Sequence, residues 1–554
     1  MAAKYDAIII GGGHNGLTCA AYLAKAGRKV LILERRHILG GAAVSEEVYP
    51  GFTYSVFSYA VSLLRPEVIR ELELAKHGLQ IMPLDTVFLP MENGDCLRLY
   101  ADPSSQREEL MRHSVRDAEM VPRFNQMMYQ MAFAVKPILG YVPPNPSSPG
   151  LRGMRTLADF GKHLHSLPKK TFHQLSKIMT MSADDFLAEW IETDAIRALM
   201  GASGIIGTKL GVKSPGTAYV LLHHYMGEFD GAFTSWGSQK GGTGAVSEAI
   251  ASAARSHGAE IRVSAPVKQV IVKKGNAVGV ALENGDEIYA KTIVSGADPY
   301  VTFRKLVDEQ HLPDDFVSAI DKFKFRGSSG KVNLALDSAP RFTAMKDPSF
   351  LKGVIGIGPS TDYLEQAYDD AKFGGFSKRP YMDVEIPTMV DTSMAPPGKH
   401  VMSIFVQYAD YNMPDYGNRD QQREAFGNAV IDTLSEFCPN LKDIMLHKQV
   451  LTPWDIEQIT GMTEGNIFAG ELTLDQLFFF RPVAGWADYR TPIRGYYQCG
   501  SGTHPGGGIT AGPGRLGALE ILRDGGGTES NARSSRPPSG ENATHRRQPT
   551  SGPG

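Results

Sequence analysis

A chain of 554 residues is longer than a single hydrophobic core usually serves, so we expect at least two cores. Hydrophobic residues make up 42% of the chain and charged residues 21%, which is ordinary globular usage and excludes a fibrous or wholly disordered protein. A net charge of −3 lacks the basic surface that nucleic acid binding requires, so nucleic acid is not an expected partner.

Cysteine usage and apolar runs narrow the class further. Cys19, Cys96, Cys438 and Cys499 are far apart and form no CxxC motif, which predicts reduced structural thiols and no metal site. No run approaches the ~18 apolar residues of a membrane span, and no leader is visible before the first predicted strand. We therefore expect a cytoplasmic protein and leave peripheral membrane contact and oligomeric state open.

The N-terminal pattern predicts a βαβ unit of about 30 residues. Tyr5 to Ile10 is an apolar run typical of a buried strand, and a glycine-rich turn follows it directly. From Leu17 to Lys25, apolar or small residues recur at helical spacing, and Gly27 ends the predicted helix. Lys29 to Leu33 is the second predicted strand, and Glu34 follows it.

The turn of this unit carries a dinucleotide-binding motif. Gly11 permits the tight turn, Gly13 lets the backbone approach a pyrophosphate, and Gly16 lets the helix pack on the strand. A helix that starts near Asn15 directs free N–H groups at the phosphates. Glu34 can accept hydrogen bonds from the ribose hydroxyls. A second glycine pair, Gly40 and Gly41, favours FAD over NAD.

Later segments predict a second part of the same domain. Ala245 to His257 is a small-residue helix, and Ile261 to Val263 is the strand after it. Turn sequences then separate further strand-like runs, which predict a β-meander inserted between Rossmann strands. These runs are Val267 to Val272, Ala277 to Leu282, Glu287 to Ala290 and Thr292 to Val294.

The C-terminal region repeats the order strand, glycine-rich loop, helix. Tyr496 to Cys499 reads as a strand, residues 500–514 contain seven glycines, and Leu516 to Leu522 resumes a helical pattern. So many glycines let the backbone pass close to a flat ring. The full predicted division is residues 1–96, 240–298 and 481–524 for an α/β Rossmann-type FAD-binding domain, 97–239 and 299–480 for a discontinuous α+β substrate domain, and a disordered tail at 525–554.

Several blocks of sequence resemble two-domain flavoprotein oxidoreductases, a group that includes bacterial phytoene desaturases, carotenoid isomerases and amine oxidases. The chain is most similar to the subgroup of pyridine nucleotide-disulphide oxidoreductase domain-containing protein 2 and its bacterial relatives. The resemblance covers residues 5–522 and rests on the blocks at 12–17, 34–37, 40–43, 63–66, 395–400, 452–457, 465–468 and 500–508. No active-site cysteine pair is present, so disulphide reduction is not expected.

The resemblance implies an extended FAD with its adenosine on the N-terminal unit, Val267 at the adenine side and the C-terminal glycine segment beneath the flavin. Two positions depart from the family, since many desaturases carry Arg where this chain has Ala42 and relatives often read Phe-His where it has Phe468-Ala469. The predicted FAD contacts are Gly11, Gly13, His14, Asn15, Gly16, Glu34, Arg35, Gly40, Gly41, Ala42, Val267, Gly296, Gly500, Gly507, Gly508 and Ile509.

Other candidates have a structural interpretation that we favour. His504 could handle a proton near the flavin, but a turn-capping role is preferred. The methionines at 127, 128 and 131, with Tyr129 and Phe133, could line a tunnel, but core packing is preferred. The pairs at 223–224, 184–185 and 169–170 are interpreted as neighbouring histidines without a metal, an acidic helix start and a solvated basic surface.

These features predict an FAD-dependent oxidoreductase that removes hydride from a C–C or C–N single bond of an apolar or amphipathic small molecule. A flavin-assisted isomerase without net redox is the enzymatic alternative. A flavoprotein that serves mainly as a binding or assembly partner is the other alternative, because the sequence shows no strong acid–base constellation.

Overall fold

The computed structural model describes residues 4–145, 150–229, 232–233 and 236–525. The strands are β1 Tyr5–Ile10, β2 Val30–Leu33, β3 Ser45–Tyr49, β4 Phe52–Ser55, β5 Ile81–Pro83, β6 Thr86–Pro90, β7 Cys96–Tyr100, β8 Glu228–Phe229, β9 Ala232–Phe233, β10 Gly237–Gln239, β11 Glu260–Arg262, β12 Val267–Lys273, β13 Asn276–Leu282, β14 Glu287–Ser295, β15 Ser329–Leu336, β16 Val354–Ile357, β17 Phe376–Glu385, β18 His400–Ala409, β19 Met445–Leu451 and β20 Tyr496–Gln498.

The α-helices alternate with these strands in the first and last parts of the chain and cluster between residues 103 and 225. They are α1 His14–Lys25, α2 Pro66–Glu71, α3 Pro103–His113, α4 Val115–Val135, α5 Gly150–Ser166, α6 Lys169–Ile178, α7 Ala183–Ala188, α8 Asp194–Ala202, α9 Thr217–Tyr225, α10 Gly244–Ser256, α11 Asp314–Asp321, α12 Thr361–Ala371, α13 Arg419–Phe437, α14 Leu441–Ile444, α15 Pro453–Thr460 and α16 Gly512–Asp524.

The first sheet joins segments from three distant parts of the chain. Its order is β11-β2-β1-β14-β13-β12, and β20 pairs with the far half of β14. The pairs β11–β2, β2–β1, β1–β14 and β14–β20 are parallel, whereas β12, β13 and β14 form an antiparallel meander. The Rossmann-type α/β fold with its inserted meander is therefore confirmed.

One strand differs from the sequence prediction. The runs at 287–290 and 292–294, predicted as separate strands, form the single strand β14. Its first half pairs with β13 and its second half with β1. The charged residue that suggested a break, Lys291, points to solvent and forms an ion pair with Asp6. A single outward lysine thus interrupts the apolar pattern but leaves the strand intact.

Helices α1, α10 and α16 pack together on one face of this sheet. Residues 15–24 of α1 are buried, and small side chains such as Ala20 and Ala21 let α10 and α16 approach closely. The opposite face of the sheet is covered by apolar residues that include Phe303 and Phe316. Burial on both faces explains why strands β1 and β2 are almost wholly apolar.

A second seven-stranded sheet has the order β19-β15-β18-β17-β16-β6-β7. All of its pairs are antiparallel except β16–β6. The predicted boundary after residue 96 differs from this pairing, because Thr86–Pro90 already lies in the second sheet. Fold class is confirmed by the two sheets, and the exact domain division stays a prediction.

The helical segment between the two sheets has its own core. Met127, Met128 and Met131 are buried in that core, in agreement with the packing interpretation, whereas Phe133 is 58% exposed. The hydroxyl of Ser182 caps α7 by accepting the backbone N–H of Asp185, as the acidic helix start predicts.

Within the described ranges, no helix is long and apolar enough to cross a membrane. The same ranges contain no group of three or more His, Cys, Asp or Glu side chains that could hold a metal ion. Part of the loop at 143–150 and nearly all of the tail predicted at 525–554 lie outside the described residues.

Candidate functional site

A cavity of about 540 Å³ runs from the carboxyl ends of the parallel strands toward the second sheet. Gly11 and Glu34, which follow β1 and β2, lie at one end of the lining. Tyr59, Trp236 and Phe405 lie in the same lining, and Phe405 belongs to β18 of the second sheet. The cavity is therefore built jointly by the two sheets, at the position where ligands bind in open α/β folds.

The glycine turn forms an open cradle at the start of α1. Gly13 is the N-cap, and a Cβ built on it would find no atom within 4 Å, so its open side faces the cavity. A Cβ on Gly16 would instead collide with the Gly11 carbonyl, because helix and strand touch at that residue. Gly13 thus leaves space for a ligand, whereas Gly16 permits close packing and does not line the cavity.

Two buried polar atoms in the cradle have no hydrogen-bond partner in the described part of the chain. They are Nε2 of His14 and Oδ1 of Asn15, and both residues line the cavity. Burial lowers the pKa of His14 to about 4, so its ring is neutral near pH 7. The Asn15 amide nitrogen donates to the Ser501 hydroxyl at 2.9 Å, which fixes its orientation. Unpartnered buried polar atoms beside a ligand-sized space fit a bound cofactor.

Glu34 is held in place by backbone groups. Its carboxylate accepts the N–H of Gly12 at 2.7 Å and the N–H of Arg36 at 2.8 Å, and the residue is only 7% exposed. The side chain of Arg35 extends away and donates to the Ile459 carbonyl at 2.7 Å. This arrangement leaves the carboxylate fixed at the cavity edge, where it can accept ribose hydroxyls.

The second glycine pair completes the same wall. Gly40 and Gly41 have φ values of 117° and 60°, a region that side chains rarely adopt. A Cβ on Gly40 would also collide with the Ala43 carbonyl, and one on Gly41 would lie 3.4 Å from the Cα of Gly13. The pair therefore lets the segment through Ala42 lie against the cradle.

The structure brings most of the predicted FAD contacts together. Those that line the cavity are Gly11, Gly13, His14, Asn15, Glu34, Arg35, Gly40, Gly41, Ala42, Val267, Gly296, Gly508 and Ile509. Val267 sits at a register shift in the β12–β13 ladder. Their assignment as FAD contacts stays a prediction, which their shared position supports.

Two predicted contacts in the C-terminal loop lie behind the cavity wall. A Cβ on Gly500 would lie 2.5 Å from the Ala297 carbonyl, and one on Gly507 would lie 2.7 Å from the Cα of Phe468. Both glycines therefore accommodate protein atoms, and Gly507 acts on the cavity only through Phe468, which lines it.

His504 also lies outside this cavity. It is 1% exposed and lines a second, separate apolar cavity instead. Burial lowers its pKa to about 3, so the ring is neutral, and its Nε2 has no partner within the described residues. The structure therefore does not bring His504 to the cofactor cradle, and the proton-handling candidate at this position loses its geometric basis.

The far half of the cavity is an aromatic chamber that the sequence analysis did not identify. Its members are Tyr59, His224, Trp236, Phe405 and Phe468. The Tyr59 ring stacks on Phe405 at 5.6 Å and on Trp236 at 6.1 Å, and the His224 ring stacks on Trp236 at 6.1 Å with an interplanar angle of 8°. These residues come from distant segments that only the tertiary fold brings together, so no local pattern predicts them.

The two neighbouring histidines do not form a metal site. The rings of His223 and His224 are nearly perpendicular, with centroids 5.7 Å apart, and Nδ1 of His224 donates to the Val220 carbonyl. Burial lowers the pKa of His223 to about 3 and that of His224 to about 4. Both rings are therefore neutral near pH 7.

A buried carboxylate lies directly behind the chamber wall. Asp383 on β17 accepts the Tyr59 hydroxyl at 2.8 Å and the Tyr381 hydroxyl at 2.6 Å. Burial raises the pKa of Asp383 above its usual value, and burial together with the nearby Asp383 charge raises the pKa of Tyr59 well above 10. Of the two phenols, only Tyr59 lines the cavity.

Comparisons with known proteins agree with this geometry. The family described as "Flavin containing amine oxidoreductase" matches residues 16–512. Pyridine nucleotide-disulfide oxidoreductase domain-containing protein 2 of Rattus norvegicus is 37% identical over 94% of each chain. A limonene dehydrogenase polypeptide of Castellaniella defragrans is 28% identical over 94% of each chain. Prolycopene isomerase 1 of an Oncidium hybrid is 25% identical over 92% of this chain and 82% of its own.

Among solved structures, cyclohexylamine oxidase from Brevibacterium oxydans shares the fold, with a TM-score of 0.55 and 18% identity over 94% of this chain and 99% of its own. The resemblance to flavoprotein oxidoreductases and the prediction of FAD are confirmed. The cradle at Gly13 and the fixed carboxylate of Glu34 fit this cofactor. The chain therefore belongs to the flavin containing amine oxidoreductase family and is an FAD-dependent oxidoreductase.

Proposed function

We propose that this chain removes hydrogen from a carbon–carbon or carbon–nitrogen single bond of an apolar or amphipathic small molecule. The observation that carries the proposal is that one cavity contains both the dinucleotide cradle at Gly13 and the aromatic chamber at Tyr59. The chemistry that bound FAD supplies is acceptance of a hydride. A molecule in the chamber would share one enclosed space with the cofactor, which supports direct transfer.

The chamber side chains support an apolar substrate. Trp236, Phe405 and Phe468 present ring surfaces, and the ring of His224 is neutral because burial lowers its pKa to about 4. Removing such surfaces from water favours apolar ligands by roughly 25 cal/mol for each Å² buried. The phenol of Tyr59 supplies one polar contact, which also suits an amphipathic molecule.

Dehydrogenation releases a proton in addition to the hydride, and Tyr59 is placed to receive it. In this proposal the phenol oxygen takes the substrate proton while the phenol passes its own proton to Asp383, 2.8 Å away. The raised pKa of Tyr59 keeps the phenol protonated before the reaction. The raised pKa of Asp383 makes its carboxylate a better proton acceptor than an exposed aspartate.

We expect Tyr59→Phe to slow flavin reduction by substrate at least about 100-fold without loss of FAD. Tyr381→Phe is the matched control, because its phenol donates to the same carboxylate but does not line the cavity. Stopped-flow absorbance over a range of pH measures both variants. The wild-type rate should fall as acid protonates Asp383, at a pH above the usual aspartate pKa, and Tyr59→Phe should lose this dependence. Equal rates in the two variants would contradict the relay.

The overall reaction is tested by anaerobic addition of limonene, as a C–C probe, and cyclohexylamine, as a C–N probe, to the purified yellow protein. Bleaching of the flavin absorbance by either compound is the expected result, and the compound that bleaches identifies the bond class. A protein that binds neither compound and forms no product from them would contradict the proposal for these substrate classes.

The same experiment separates the two alternatives. Product without bleaching would indicate a flavin-assisted isomerase, which the 25% identity to a prolycopene isomerase supports. Absence of both bleaching and product across apolar and amine probes would favour a role as a binding or assembly partner. The enclosed chamber beside the cradle supports an enzyme over that last alternative.

A further inference from the structure

Helices α5 and α6 form the wall of the second cavity, which has a volume of about 290 Å³. Thr156, Phe160 and Leu164 lie four residues apart along α5 and line this cavity, as does Leu175 of α6. The inner face of the two helices is therefore apolar, and the cavity behind it can hold an apolar molecule or chain.

The outer face of the same helices is basic. Residues 150–178 contain six lysines and arginines and one acidic residue, in a chain whose net charge is −3. Arg155, Lys162, Lys169 and Lys170 are exposed. The sequence analysis considered only the pair at 169–170, and the helical arrangement adds two further cations to that surface.

Large apolar side chains are exposed on this face and beside the cavity. Met154 of α5 is 59% exposed and Phe172 of α6 is 44% exposed. Tyr141, which lines the cavity, is 39% exposed, and Phe480, next to the lining residue Phe479, is 49% exposed. Exposed aromatic and methionine side chains among lysines are typical of helices that lie in a membrane interface.

We propose that the outer face of α5 and α6 docks this protein on an anionic lipid bilayer. The lysines and Arg155 would contact lipid phosphates, and Phe172 and Met154 would enter the boundary of the acyl region. The excess of positive charge on this face selects an anionic lipid surface as the partner. The apolar cavity on the inner side of the same helices would then lie within reach of molecules dissolved in the bilayer.

The test is cosedimentation of the full-length, FAD-loaded protein with lipid vesicles. Vesicles of phosphatidylcholine mixed with phosphatidylglycerol should bind the protein, vesicles of phosphatidylcholine alone should bind it much less, and added salt should weaken binding. Changing Lys162, Lys169 and Lys170 together to glutamate should weaken partitioning at least about tenfold. Phe172→Ser should weaken binding at every salt concentration, because it removes the apolar contact.

The control reverses the same number of exposed lysines elsewhere, at Lys274, Lys322 and Lys352. That variant should bind vesicles like the wild type, and the flavin spectrum should be native in all variants. Absence of binding to the anionic vesicles, equal binding to neutral vesicles, or equal loss in the control variant would each overturn the proposal. None of these outcomes bears on the dehydrogenation chemistry, which is measured without lipid.

Discussion

Replacing Gly13 by valine is expected to give a protein that purifies without FAD, with an affinity for added FAD at least about 100-fold lower. The structure has no protein atom within 4 Å of the position that a Cβ on Gly13 would occupy, so the new side chain would meet no protein. It would instead project into the cavity where the pyrophosphate approaches the start of α1. Absorbance of the purified protein and titration with FAD measure the effect.

Gly161→Val is the matched control for this substitution. Gly161 lies within α5, and a Cβ on it would also find no atom within 4 Å, but the residue does not line the cofactor cavity. The control variant should retain its FAD. A Gly13→Val protein with full FAD content would place the phosphates elsewhere and refute the cradle.

The local parts of this site are predictable from the sequence because each depends on neighbours along the chain. A strand, a glycine turn and a helix within 30 residues fix where Gly13 and Glu34 lie relative to each other, and the structure reproduces that unit. The glycine pair at 40 and 41 is similar, because its positive φ values are a local property that only glycine meets easily.

The chamber could not be predicted in this way. Tyr59, Trp236 and Phe405 are separated by more than 150 residues along the chain, and their meeting depends on how the second sheet lies against the first. The glycine-rich loop shows the opposite limit. Its composition indicates close approach of a backbone to something flat, but in the structure Gly507 approaches the Phe468 side chain.

The second large effect is expected at Arg481, a fully buried cation whose guanidinium hydrogen-bonds to several backbone carbonyls. It donates to the carbonyls of Phe468 at 2.9 Å and Ser501 at 2.9 Å. Further bonds reach the carbonyls of Gly470 and Glu471. Burial lowers the pKa of Arg481 to about 9, which still leaves it charged near pH 7. The guanidinium therefore replaces water for a charge and for several loop carbonyls at once.

We expect Arg481→Met to lower the free energy of unfolding by about 3–5 kcal/mol, because methionine leaves these buried carbonyls without donors. FAD content should fall with it, since Phe468 lines the chamber and Ser501 holds the amide of Asn15 in the cradle. Denaturation monitored by both circular dichroism and flavin fluorescence measures the two effects.

Arg379→Met is the control, because Arg379 is half exposed and pairs with Glu92 and Glu436 at the surface, where such pairs contribute about 0–1 kcal/mol. Arg481→Lys should fall between the two, since an ammonium keeps the charge but cannot reach as many carbonyls as the planar guanidinium. If Arg481→Met were no more destabilising than Arg379→Met and kept its FAD, the loops of the chamber and the cradle would be held together by packing alone. The predicted order of stabilities, with the methionine variant at 481 lowest, follows from counting the buried carbonyls that each side chain leaves unpaired.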